Sequence, residues 1–417
     1  MVYLLNFLDR QDLSALGRTS KFMRNQVNPA LYRSLRFARR DTEEKNYQLC
    51  QLLIAEPLLA SFVYNIEDFP ARLKRHETPQ GATAINPFED EHQDSQDGTS
   101  LEVLQTQAIN NCINLESLSI YMGGRIWTEF PGTNCIWFND ISAGTILLRK
   151  LVFADAPKEL ANIVDWNNFL LEVFINQKEL EYIDLPALRC DLMDDAVEVG
   201  SDWVLPRPQC LPKLRVLKSS SGTTLKELLK GTHKITEICA RSPTLNELGF
   251  NILSVMENSH QISCFEWHTI VLTPLSLQMP LIILGQLRVL RVRALFEVGW
   301  DSFFLEFFPD SVGHCRRLEV MDFNGSRCFK AREDDDNTYR LNTTLPVFRT
   351  PGPRKSYYEN QLHALLVYHA RCLSLRRVIF PDSEVYEWDK AEKTWNRLGA
   401  EGKIILPLDG NGRAYFL

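Results

Sequence analysis

The run Leu148-Arg149-Lys150-Leu151-Val152-Phe153 sets large apolar residues at its first, fourth and sixth positions. The same spacing returns as Leu115/Leu118/Ile120, Leu180/Ile183/Leu185, Leu214/Leu217, Leu245/Leu248/Phe250, Leu287/Leu290/Val292, Leu318/Met321/Phe323 and Leu375/Val378/Phe380. The Leu214 copy is degenerate, ending in Ser219. From Leu115 onward the steps between first residues are 33, 32, 34, 31, 42, 31 and 57. A recurring step over so many copies is the signature of a stacked repeat. Val63 to Ile66 reads as a further, weaker strand.

Segments with helical spacing precede these short strands. Ile235, Ile238 and Cys239 come before Leu245; Phe303, Phe304, Phe307 and Phe308 before Leu318; Leu362, Leu365, Leu366 and His369 before Leu375. Apolar residues at i, i+3 and i+4 mark one helix face. A strand–helix unit of this size leaves its apolar face uncovered, so neighbours must stack and share a core. The pattern resembles the leucine-rich repeat family, although the usual unit is about 20–29 residues and carries an Asn or Cys just after the strand. Here Asn251 and Asn324 fall near that place, and Tyr121 and Pro186 do not. The resemblance implies an α/β solenoid with parallel strands on the concave face. Alternating strands and helices without a solenoid is the other reading.

Polar segments interrupt the array. Residues 67–100 end in Glu89, Asp90, Glu91, Asp94 and Asp97, and residues 327–360 hold Glu333-Asp334-Asp335-Asp336 and Pro351-Gly352-Pro353. Both compositions predict loop insertions. Residues 186–212 are rich in Pro and Asp. The aromatic runs Glu384–Trp388 and Thr394–Asn396 flank a polar turn and predict a hairpin that covers the last repeat.

Ahead of the array, Asp9 suits a helix N-cap and Asp12 the first turn, with Leu13 and Leu16 on one face. Gly17 suits a helix end and Ser20 the next cap. Met23 and Val27 align on that second helix; Pro29 predicts a break, and Leu31 and Leu35 a third helix. Leu8-Asp9, Asp12-Leu13, Ser20-Lys21-Phe22-Met23-Arg24 and Leu31-Tyr32-Arg33-Ser34-Leu35 follow the order of motifs in the F-box family. The stretch resembles an F-box of fungal type. Such modules open with Leu-Pro and an acidic residue, whereas this chain starts at Tyr3-Leu4-Leu5-Asn6-Phe7-Leu8, so the module reads as incomplete. The resemblance implies residues 1–37 as a helical adaptor-binding module and residues 38–417 as the repeat body. It implies a Skp-type adaptor of a cullin–RING ubiquitin ligase as partner, contacted through Leu4, Leu5, Leu8, Leu13, Leu16 and Phe22. A helical cap on the array is the plainer reading of the same residues.

Composition narrows the rest. The 417 residues are 45% hydrophobic and 24% charged, as in folded proteins. Net charge is −7, with a local +6 over residues 1–40 that leaves −13 elsewhere. That balance favours neither nucleic acid nor an anionic membrane. No signal peptide or run of about 18 apolar residues is present, and the ten cysteines are scattered, so reduced thiols in cytoplasm or nucleus are expected. Phosphate-loop, dinucleotide, HExxH, nucleophile-elbow and CxxC motifs are all absent, so neither catalysis, metal nor cofactor is expected. Residues alternating with the core positions are the candidates for holding a target protein. Among them are Tyr121, Tyr182, Asp184, Lys218, Arg291, Arg293, Asp322 and Arg377. Taken together the chain reads as a target-recruiting ligase subunit, with a repeat scaffold free of any ligase as the alternative.

Overall fold

In the computed structural model, residues 5, 8–38, 43–71, 94–122, 136–154, 163–185, 211–219, 235–241, 261–272, 281, 285–296, 302–328 and 354–398 are described. The chain divides into two compact units, Met1–Leu214 and Arg215–Leu417. Each is a mixed α/β unit built on an open sheet of mainly parallel strands.

The first unit begins with helices α1 (Arg10–Thr19) and α2 (Lys21–Leu31). Asp9 Oδ1 caps α1 by accepting from the amides of Gln11 and Asp12, each at 2.8 Å. Ser20 Oγ accepts from the amide of Met23 at 3.1 Å and starts α2. Gly17 lies within α1, which continues to Thr19. Leu5, Leu13 and Val27 form a buried cluster between the helices, with Leu16, Ala30 and Leu31 partly buried against it.

Two expectations about this region are corrected. Pro29 does not break α2: it lies in the last turn, where one missing N–H costs little cohesion, and the amide of Tyr32 still reaches the carbonyl of Asn28 at 2.9 Å. Leu35 is not on a third helix but on strand β1 (Ser34–Arg36), with Leu35 and Phe37 alternating into the core at 2% and 1% exposure. The period of two outweighs the i, i+4 match of Leu31 and Leu35 because β1 finds a strand partner.

Strands β1, β2 (Asn65–Pro70), β3 (Ser117–Tyr121), β4 (Lys150–Ala154) and β5 (Tyr182–Asp184) pair parallel in chain order. One register row runs Leu35, Ile66, Leu118, Leu151, Ile183, and every member is buried. Helices α3 (Glu43–Ala55), α4 (Pro57–Ala60), α5 (Asp94–Asn111), α6 (Ile136–Ser142) and α7 (Ile163–Asn176) lie between the strands in sequence. Of the segment 67–100 predicted as a loop, the start is strand and the end, from Asp94, is helix; residues 72–93 lie outside the described ones.

The second unit repeats the plan with β6 (Val216–Ser219), β7 (Glu237–Arg241), β8 (Cys264–Leu272), β9 (Val289–Phe296), β10 (Val320–Asp322), β11 (Arg327–Cys328) and β12 (Arg377–Ile379). Its core row runs Leu217, Ile238, Phe265, Leu290, Met321, Val378. A π-helical turn (Ser302–Phe307) leads into α8 (Phe308–Val312), and α9 (Arg354–Arg371) precedes β12. Arg327–Cys328 and the α9 start at Arg354 likewise trim the predicted loop at 327–360. Phe304 sits among Phe303, Phe308, Phe323 and Phe380, with ring centroids 4.9–6.3 Å away. The hairpin β13 (Val385–Asp389) and β14 (Thr394–Leu398) is present and adds antiparallel to β12.

A backbone pattern counts the repeats more sharply than leucines do. In the first unit the carbonyls of Arg33, Tyr64, Glu116 and Arg149 each accept two consecutive amides of the next strand. In the second unit those of Arg215, Thr236, Ser263, Arg288 and Glu319 do the same. The repeat expected at Leu245 falls on residues 245–250, which lie outside the described ones. Ile238 and Cys239 lie on strand β7 and Ile235 leads into it, rather than on a helix, and Ile262/Phe265/Trp267 form a copy that a leucine count misses. First-residue steps from Leu214 to Ile235, Ile262 and Leu287 are thus 21, 27 and 25, inside the ordinary range for leucine-rich repeats.

The turn before each strand also recurs. The amides of Val63, Leu115, Leu180, Leu214, Leu318 and Leu375 donate to carbonyls three residues earlier, at Ala60, Cys112, Gln177, Leu211, Cys315 and Cys372. All six of those earlier residues are buried. Burial pushes the thiols of Cys112 and Cys315 up to about 12, so they remain protonated and serve as small apolar fillers. Gln177 does this task by hydrogen bonding: its Oε1 accepts from Leu148 N at 2.9 Å, and its Nε2 donates to the carbonyls of Ile141 at 2.6 Å and Ile146 at 2.7 Å.

Candidate functional site

Because strand residues alternate, each core row has a counterpart on the outward side. In the first unit the outward row is Ser117, Lys150, Tyr182, followed by Ser119, Val152, Asp184. Lys150 Nζ stands 5.0 Å from the Tyr182 ring centroid, a cation–π distance. Tyr121 and Tyr182 are half-buried, and Asp184 is buried at 7% exposure. Arg36 of β1 donates from Nε to Asp68 Oδ2 at 3.0 Å; Asp68 occupies a left-handed conformation (φ 57°) at a bulge in β2. Aspartate tolerates that region better than most residues.

The second unit carries a different surface on the same backbone. Its outward rows are Val216, Glu237, Cys264, Val289, Val320, Arg377 and then Lys218, Cys239, Glu266, Arg291, Asp322, Ile379. Arg241, His268 and Arg293 begin a third. Parallel strands stand about 4.8 Å apart, so opposite charges in one row meet directly. Arg293 grips Asp322 with two nitrogens, Nη1 to Oδ1 at 3.0 Å and Nη2 to Oδ2 at 2.7 Å, and also donates to the Asp322 carbonyl at 3.0 Å. Arg291 Nη1 lies 3.6 Å from Glu237 Oε1, 3.8 Å from Glu266 Oε2 and 3.6 Å from Cys264 Sγ. Arg377, exposed, pairs with Glu387 of β13 at 3.1 Å.

At the centre, His268 Nε2 lies 2.6 Å from Glu266 Oε1. That hydrogen bond, more than any other cause, holds the Glu266 carboxyl down at about 2; desolvation opposes it, and the positive charges of His268, Lys218 and Arg291 assist. Burial, reinforced by Glu237, pushes the Cys264 thiol up to about 11. A Cys239 Sγ, a Glu266 oxygen and a His268 nitrogen all lie within 4.8 Å of one another. No spacing rule finds this trio, since Cys239 and Glu266 are far apart in sequence and meet only through the β7–β8 register.

Strand pairing thus brings Lys218, Arg291, Arg293 and Asp322 onto one face of the second unit, with Arg377 on β12 between β10 and the hairpin. Tyr121, Tyr182 and Asp184 belong to the first unit. Of the residues implied for adaptor contact, Phe22 is 64% exposed and Leu8 37% exposed, whereas Leu5 and Leu13 are buried and Leu16 is partly buried. Leu4 lies outside the described residues.

No protein-family model matches the chain, and no curated protein matches it. Among solved structures, an internalin from Listeria monocytogenes is similar over 53% of this chain and 71% of its own, at 14% identity and a TM-score of 0.24. The repeat reading rests on the strand register and the carbonyl ruler, not on that similarity. No described helix is long and apolar enough to cross a membrane.

Proposed function

We propose that this chain is a target-recruiting subunit of a Skp–cullin–F-box ubiquitin ligase. In this reading residues 1–37 dock the Skp-type adaptor, and the outward strand face of the 38–417 body holds a protein target. The observation that carries it is the exposure of Phe22 at 64% on α2, with Leu8 at 37% just ahead of α1, beside helices packed on the Leu5–Leu13–Val27 cluster. An aromatic side chain left in water on a small preorganised helix pair is the type of anchor a partner's pocket covers. The body then acts by effective concentration, keeping a target near the ubiquitin-charged enzyme while doing no chemistry of its own. The paired charges of the second unit favour a target surface with both signs, since every displaced ion pair must be matched.

Co-expression with a Skp-type adaptor tests this. The adaptor is expected to co-purify with the full chain, and Phe22→Ala with Leu8→Ala to abolish capture without altering the circular dichroism. Failure of the adaptor to co-purify overturns the ligase reading. The second reading, a repeat scaffold whose helices only cover the array, is favoured by the inward packing of Leu5 and Leu13. It predicts target capture that is indifferent to adaptor and to Phe22.

A further inference from the structure

We propose that Cys239, Glu266 and His268 form a binding site for a divalent transition-metal ion of the zinc type on the outward face of β7 and β8. The donor atoms lie within 4.8 Å of one another. Tetrahedral zinc, with bonds of about 2.0–2.3 Å, needs donors roughly 3.3–3.8 Å apart. Glu266 Oε1 and His268 Nε2, at 2.6 Å, would part to admit the ion. The backbone beneath is held: Cys239 and Glu266 are register partners, and their neighbours Ile238, Phe265 and Trp267 are buried on the opposite side.

The donor set is selective. A thiolate, an imidazole and one carboxylate are the mixed borderline ligands that suit zinc, and unlike a group of carboxylates they discriminate against calcium and magnesium. Glu266 has one oxygen for the metal and one already engaged. Oε1 faces His268 at 2.6 Å, and Oε2 lies 3.8 Å from Arg291. The ion would replace the hydrogen now shared by His268 and Oε1, while Arg291 keeps Oε2 oriented as an outer-shell partner. The proton balance follows. Cys239 releases its S–H proton, and the His268 Nε2 proton either leaves or is replaced by one on Nδ1, which the half-exposed ring can draw from water.

Three protein donors leave a fourth coordination position for an outside ligand, beside the buried Cys239 and the half-exposed His268. Thiolate and carboxylate neutralise the ion, and Lys218 and Arg291 stand in the same row on either side. The open position therefore favours an anion, such as a carboxylate of a bound protein. This inference stands apart from adaptor binding and is tested without it.

The test is titration of the metal-stripped full chain with Zn²⁺ and with Co²⁺, which reports thiolate ligation by a near-ultraviolet charge-transfer band. One equivalent per chain is expected to bind. Cys239→Ser should remove the band, His268→Gln should weaken binding at least tenfold, and Cys264→Ser, altering a neighbouring thiol outside the trio, should leave both intact. Should Cys239→Ser fail to fold by circular dichroism, His268→Gln decides, because its ring is the most exposed of the three. Absence of a saturable band, a band that survives both ligand substitutions, or one lost only in Cys264→Ser overturns the site.

Discussion

The two units share one backbone device and differ in what they hang on it. In both, a carbonyl just after the first apolar residue binds two amides of the next strand, which locks neighbouring repeats in register. The first unit has the buried Gln177 amide at a turn where the second has Cys315 and Cys372, and the second adds a cluster of the Phe303, Phe304, Phe308, Phe323 and Phe380 rings. Their outward faces diverge as well. Serines, tyrosines, Lys150, Val152 and Asp184 occupy the first, and a lattice of paired charges around Cys239, Glu266 and His268 occupies the second. A repeat fixes spacing, and side chains free of the core decide chemistry.

The largest effect should come from the aromatic cluster. Phe304 is fully buried and touched by four rings. Phe304→Ala should cost about 3–5 kcal/mol in denaturant unfolding; a loss below about 1 kcal/mol would show that the second unit does not rest on these rings. Gln177→Leu is the matching test of the first unit. It keeps the volume but takes the Gln177 side chain from the Leu148 amide and the Ile146 carbonyl, while the Ile141 carbonyl keeps the Gly144 amide, and should cost roughly 1–3 kcal/mol. An unchanged midpoint would remove the distinction between polar and aromatic joining.

A smaller loss is expected on the charged face. Arg293→Lys keeps the charge and loses the two-nitrogen grip on Asp322, which should cost about 1 kcal/mol and lessen at high salt. A loss insensitive to salt would assign Arg293 a packing role instead. The smallest concerns pH at the hairpin. His369 stacks on Trp388 with centroids 3.9 Å apart, and among the described residues its Nδ1 has no hydrogen-bond partner. Burial lowers its pKa from the usual 6.5, partly offset by a hydrogen bond to the backbone of Leu375. The unfolded chain then binds the proton more readily, so this contribution to stability is present above pH 6.5 and lost as pH falls through the lower folded value. His369→Gln should flatten that part of the pH–stability curve; an identical slope would place the acid sensitivity elsewhere.

Much of the strand plan was legible. Leu115, Leu148, Leu180, Leu287, Leu318 and Leu375 all introduce strands, because a buried position with period two admits little besides large aliphatics. A leucine count passes over two strands that stand between Leu214 and Leu287. Ile235 and Ile262 introduce the strands there, with Ile238, Phe265 and Trp267 as their buried residues, and β-branched or aromatic side chains fill a sheet core as well as leucine does. Leu35 was misassigned for a related reason: i, i+4 spacing and strand alternation coincide over so short a run, and only the partner strand β2 separates them.

Of the candidate face, alternation alone located Lys218, Arg291, Arg293 and Asp322. It did not locate the trio of Cys239, Glu266 and His268, nor the Gln177 junction, since each depends on which distant segments become neighbours. Local sequence determined the period, the caps at Asp9 and Ser20 and the hairpin at the end of the described chain, because those follow from backbone geometry and short-range hydrogen bonds. Tertiary pairing alone decided which thiol, carboxylate and imidazole meet. Parallel register depends on the lengths and packing of the intervening segments, and a one-residue shift of β7 against β8 would put Cys239 on the opposite face from Glu266 and His268.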